Sequence, residues 1–110
     1  MNSSTFLGLK PVSNHTETSG SWSMLVQPGL CTGSGFLWGG AGLASAVSAM
    51  EQFSGRHCIW STAQYLSYAR PGEVMHIDVT LAVVGHQITQ ARAICHVGER
   101  EILTVNAALG

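Results

Sequence analysis

"WGGAGLASAVSAMEQFSG", Trp38 to Gly55, is the stretch on which the fold turns. A surface helix carries a charged face opposite its apolar stripe. Here Leu43, Ala44, Ala46, Val47, Ala49, Met50 and Phe53 cover nearly every direction around the axis, and only Ser45, Ser48, Glu51 and Gln52 interrupt them. The pattern predicts a helix that starts near Gly40 or Ala41 and is capped at Gly55. Such a helix must be enclosed, and its small side chains let surrounding strand backbones approach the axis.

Working outward, residues 1–20 are rich in Ser, Thr and Asn with Gly8, Pro11 and Gly20, and read as an irregular N-terminal arm. Residues 21–110 read as the folded domain. Trp22, Met24 and Val26 alternate with Ser23 and Leu25, a first strand that ends at Pro28-Gly29. "GLCTGSG" (29–35) is then a loop before the helix. Beyond Gly55 everything reads as strand: His57 to Tyr68, Val74 to Val83, Gln87 to Val97 and Glu101 to Ala108. The turns between them are "RPGE", Gly85 and "VGERE". Met75, Ile77, Val79, Leu81 and Val83 fall on one face, and His76, Asp78 and Thr80 on the other. The expectation is an α+β fold, an antiparallel sheet of about five strands wrapped around one long central helix.

The chain has 110 residues, a formal net charge of -1 and only 10% charged residues, consistent with one domain and without the basic face a nucleic-acid partner requires. No apolar run reaches the roughly 18 residues of a membrane span. The N-terminus lacks a basic segment followed by an apolar run, so a cytoplasmic protein is expected. Cys31, Cys58 and Cys95 are too far apart for a CxxC pair and read as buried thiols in a reducing compartment rather than disulfide or metal ligands. His15, His57, His76, His86 and His96 have no ligand spacing, so no metal and no other cofactor is expected. A G-x-S-x-G elbow and a phosphate-binding G-x-x-x-x-G-K-[ST] loop are both absent from the sequence. Asn14-His15-Thr16 fits a glycosylation acceptor, which means little without a secretory route.

"FLGL" (6–9), "FLWGG" (36–40), "STAQYLSYARPGE" (61–73), "VVGHQITQARA" (83–93) and the closing "LTVNAALG" occur in an order and spacing that resembles the hotdog fold. Within that fold they are similar to the TesB-like acyl-CoA thioesterases. The resemblance covers nearly the whole chain and matches the first of that family's two tandem hotdog halves. It implies hydrolysis of fatty acyl-CoA by water that a carboxylate activates, without a covalent intermediate. It also implies that the carboxylate and its Thr/Ser and Gln helpers belong to the second half. The expected partners are an acyl-CoA substrate and a second hotdog domain, either a second copy or a second half.

Thioester hydrolysis needs donors where negative charge grows on the carbonyl oxygen. Gly39 and Gly40 at the helix entrance supply backbone N–H groups there, or are small only to make room for a neighbour. Gln64 and Tyr65 are candidates to hold the thioester or line an acyl channel, with a core or interface role as the alternative. The resemblance implies that Gly85, His86 and Gln87 approach the pantetheine or its phosphates, and a solvated turn accounts for them equally well. Glu51 reads as a solvated residue near the helix end, Asp78 as a surface or interface group and Glu73 as part of a turn. No carboxylate is well placed as the base, so the catalytic residue is unknown from sequence. A non-catalytic module that binds acyl chains or scaffolds an assembly is the second reading.

Overall fold

The structure, a computed structural model, describes residues 7–12 and 15–110. Phe6 of the "FLGL" motif and Asn14 lie outside the described residues. In chain order the elements are β1 (Lys10–Val12), β2 (Ser19–Leu25), a 3-10 turn (Pro28–Leu30), α1 (Gly39–Ser54), β3 (Cys58–Tyr65), β4 (Val74–Val84), β5 (Thr89–Val97) and β6 (Arg100–Leu109). The strands form one six-stranded sheet in the order β1-β2-β4-β5-β6-β3, with every neighbouring pair antiparallel. The expected count of about five is thus raised by β1, three residues inside the segment read as irregular, which pair with Ser21 to Ser23.

The helix is enclosed. Ala46, Ala49 and Met50 have no exposed surface, and only Ala44 and Gln52 of its residues are exposed. The inner face of the sheet meets it with Met24, Met75, Ile77, Leu103 and Val105, all fully or almost fully buried. Large side chains on the strands and small ones on the helix are what allow a curled layer to close on the helix at native packing density. The helix ends as its sequence requires. Gly55 takes a left-handed φ of 71° and its N–H donates to the Glu51 carbonyl at 2.9 Å.

The period-two reading of β4 holds to Leu81 and then fails. Val83, assigned to the core side, is 56% exposed because the register against β5 shifts between Leu81 and Val83. Of the three thiols expected to be buried only Cys95 is, in the inner face; Cys31 and Cys58 are half-buried because they lie in the loop before the helix and at the start of an edge strand. Loss of hydration pushes the Cys95 thiol up to about 12, which leaves it protonated and unreactive.

The "RPGE" turn is held by Glu73. Its carboxylate accepts the Arg70 backbone N–H at 2.7 Å and the Arg100 guanidinium at 3.0 Å. The Arg70 N–H bond, foremost, and then Arg100 hold the Glu73 carboxyl below its ordinary 4.5. A carboxyl whose value is lowered by folding adds stability above its unfolded value and loses it as pH falls through the folded one. Glu73→Gln is therefore expected to flatten the acid limb of stability below about pH 4.5, read from thermal midpoints on a pH series. An acid limb identical to wild type would contradict the assignment.

Candidate functional site at the helix entrance

Two cavities flank the N-terminus of α1. The larger, about 370 Å³, is lined by Leu7, Leu30, Cys31, Thr32, Trp38, Gly40, Ala41 and Ala44, together with Gly29. The smaller, about 180 Å³, is bounded by Leu37, Trp38, Gly39, Gly42, Tyr65, Tyr68 and Leu103, among others. Neither lining contains a charged side chain. Between them the chain enters the helix at Trp38, whose N–H donates to the Leu30 carbonyl at 2.8 Å. The Trp38 carbonyl in turn accepts the N–H groups of Ala41 and Gly42.

The first turn of α1 has no side-chain cap and no acidic residue. Among the described residues no acceptor answers the N–H groups of Gly39 and Gly40. Those two donors, with the positive end of the helix dipole behind them, are suited to a carbonyl oxygen that gains negative charge.

Both glycines also stand close to an aromatic ring. A Cβ on Gly39 would come within 3.3 Å of the Tyr65 ring, and one on Gly40 within 2.9 Å of the Trp38 ring. Room for a neighbour and exposure of donors are thus properties of the same two residues.

Tyr65 does reach this place. Its hydroxyl donates to the Gly39 carbonyl at 2.8 Å, tying the end of β3 to the helix entrance. Gln64 does not share its direction. It is exposed and lies opposite Thr104 in the register, and strand alternation turns it to the outer face of the sheet when Tyr65 faces the helix.

Gly85, His86 and Gln87 lie elsewhere. Gly85 closes the β4–β5 turn, with its N–H on the Ile88 carbonyl at 2.9 Å; a Cβ there would stand 2.2 Å from that same oxygen. The turn is pinned to the far end of the helix, because Arg56 donates to the His86 carbonyl at 3.0 Å and to Thr89 Oγ1 at 3.2 Å. A helix of 16 residues separates this turn from Gly39, about 24 Å at the usual rise. Within one copy, the two groups of candidates do not meet.

All six carboxylates lie in described residues, and none lines either cavity. Glu51, read as solvated, is instead half-buried, and its Oε2 accepts the Cys58 N–H at 2.8 Å where β3 begins. Asp78 lies on the outer face, where it accepts Ser21 Oγ at 2.8 Å and pairs with His96 Nε2 at 2.7 Å. Glu73 is engaged as described above. Glu17, Glu99 and Glu101 are exposed. Among the described residues no cluster of three or more His, Cys, Asp or Glu could hold a metal, and no helix is long and apolar enough to cross a membrane.

Sequence reasoning gave no role to Trp38, Cys31 or Leu30. The available signal was an aromatic residue directly before a double glycine, but the loop "GLCTGSG" carries no periodicity to show where its side chains point.

A sheet order of 1-2-4-5-6-3 curled about one helix defines the hotdog fold, and solved structures bear this out. The PaaI protein of the Escherichia coli phenylacetic acid degradation operon matches with a TM-score of 0.89 at 13% identity, covering 97% of this chain and 86% of its own. A hypothetical thioesterase protein of Streptococcus pneumoniae, solved with coenzyme A, matches with a TM-score of 0.86 at 11% identity, covering 92% of this chain and 83% of its own. A candidate thioesterase of Novosphingobium aromaticivorans matches with a TM-score of 0.81 at 25% identity, covering 91% of this chain and 40% of its own. No family model matches the chain, and no curated protein matches it. The chain has the hotdog fold.

Proposed function

We propose that this chain is one hotdog half of an acyl-CoA thioesterase of the TesB-like kind. The observation that carries the reading is an uncharged cavity at a helix entrance whose Gly39 and Gly40 N–H groups have no acceptor among the described residues. The cavity suits an acyl chain, and the two donors suit the thioester oxygen as water adds to its carbon. The reaction is addition of water, proton transfer to a carboxylate and departure of the CoA thiolate, which is reprotonated as the acid is released. The coenzyme A held by the Streptococcus pneumoniae neighbour supports the substrate class. The 40% coverage of the Novosphingobium neighbour fits one half of a longer chain.

The base comes from a second half or subunit, and β3 is where it docks. β3 is an edge strand of eight residues, with Ile59, Trp60 and Tyr65 all more than half exposed. An open apolar edge of that length is a template for pairing. Antiparallel pairing about a two-fold axis sets the Tyr65 end of one strand against the Cys58 end of the other. That arrangement brings one helix entrance near the other copy's Gly85–Gln87 turn. It joins across an interface the two groups of residues that one copy keeps apart.

The second reading, a non-catalytic acyl-binding module, is favoured by the lack of any carboxylate in the cavity linings. A thiol-release assay with medium- and long-chain acyl-CoA, run beside a binding titration, separates the cases. Release that is lost in Glu51→Gln makes a second copy the source of the base. Binding without release places the base on a different half or leaves the module reading. Release unchanged in Glu51→Gln combined with Asp78→Asn contradicts the siting of the base, and the absence of binding overturns the whole reading.

A further inference from the structure

We propose that the small side chain of Ala44 sets how far an acyl chain can run along the helix from the entrance, an inference that rests on the acyl-binding reading above. Ala44 is the one apolar residue of α1 that is exposed, and it lines the cavity of about 370 Å³. Gly40 lines the same cavity, and positions four apart lie one above the other on one helix face. The helix gives Gly40, Ala41 and Ala44 to that lining and nothing beyond them. Ala44 therefore marks the far end of the helical wall, about 6 Å from Gly40 at the usual rise.

With the thioester oxygen on the Gly39 and Gly40 N–H groups, the acyl chain leaves its carbonyl at the head of this wall. The first carbons pass Gly40 and Ala41, and the following ones reach Ala44, while Leu7, Leu30 and Cys31 supply the rest of the apolar surface. A methyl group at position 44 leaves that path open. A longer side chain there would close it, because helical side chains lean toward the N-terminus and cover the preceding turn. Leucine at 44 would lie back over Gly40 and Ala41, in the space the acyl chain takes. Unlike Ala46, which has no exposed surface, Ala44 can be enlarged without pressing on the sheet. Each methylene that can no longer be buried costs about fourfold in affinity.

The test is calorimetric titration of wild type, Ala44→Leu, Ala44→Met and Ala44→Ser with acyl-CoA from butanoyl to dodecanoyl, and with the matching free acids. Leucine and methionine are both good helix formers, so either variant can carry the test. The readout is the gain in affinity per added methylene. A general weakening of the fold or of the thioester contact lowers every member of a series alike and leaves that gain unchanged. In wild type it should be about fourfold until the cavity is filled. In Ala44→Leu and Ala44→Met it should vanish at a shorter length, leaving the longest chains about tenfold or more weaker than in wild type. Ala44→Ser, close to alanine in volume, should keep the wild-type profile. Parallel profiles in wild type and both enlarged variants overturn the role of Ala44 and leave acyl binding standing. A shortened profile with the free acids, but no binding of any acyl-CoA, supports Ala44 and defeats the thioesterase reading. If wild type binds no member of either series, both fall.

Discussion

Ala46→Leu is expected to destabilise the protein by about 2–3 kcal/mol, a large part of the stability of an ordinary domain. Ala46 has no exposed surface, and the sheet residues around the helix are already large and buried. Three added carbon atoms have nowhere to go unless the helix moves away from the strands. Gly42 is the control within the same helix. A Cβ placed there meets Leu103 Cδ2 at 3.4 Å, an ordinary contact, and alanine has the better helix propensity by about 1 kcal/mol. Gly42→Ala should therefore be neutral or mildly stabilising. Denaturant midpoints of the two variants give the answer, and equal stability of Ala46→Leu and wild type would mean that the helix is not enclosed.

The second large effect concerns assembly. Wild type is expected to sediment as a dimer at micromolar concentration through β3. Trp60→Glu should sediment as a monomer, with acyl-CoA affinity reduced about tenfold or more because the site is completed across the interface. Trp60 is 57% exposed and lies on the open edge, so the substitution removes little from the fold of one copy. It does place a charge where two strands must come together, and an unpaired charge buried at an interface costs several kcal/mol. A stable wild-type monomer at that concentration would contradict the pairing. So would a dimer unaffected by the glutamate.

How much of this was visible in the sequence depended on periodicity. The Ala-rich helix, its stop at Gly55 and the inward set of β4 are written as repeating patterns, and the structure follows them until the bulge beside Val83. β1 was not visible because Lys-Pro-Val is too short to alternate, and it pairs only because β2 presents an open edge. The order of the strands was not legible either, since β3 crosses to the far edge beside β6 rather than pairing with its neighbours in sequence.

For the candidate site, the glycine pair and Tyr65 were chosen from residue type and the structure brings them together. Gly85, His86 and Gln87 were carried over from the family resemblance and lie at the opposite end of the helix. Residue type suggests chemistry, but only the path of the chain decides which residues meet. Glu51 shows the same limit. Its sequence position says helix end, and only the fold shows its carboxylate anchored to the Cys58 N–H.

The most direct test is whether an acyl group enters the cavity beside the helix entrance. Cys31 lines that cavity and is half-buried, so its alkylation rate, followed by mass spectrometry during titration with dodecanoyl-CoA, reports occupancy there. Saturating ligand should slow the modification of Cys31 about tenfold or more. An alkylation rate that stays at its ligand-free value while acyl-CoA is bound would place the acyl chain elsewhere, and an acyl-CoA that does not bind at all would remove the function proposed for this fold.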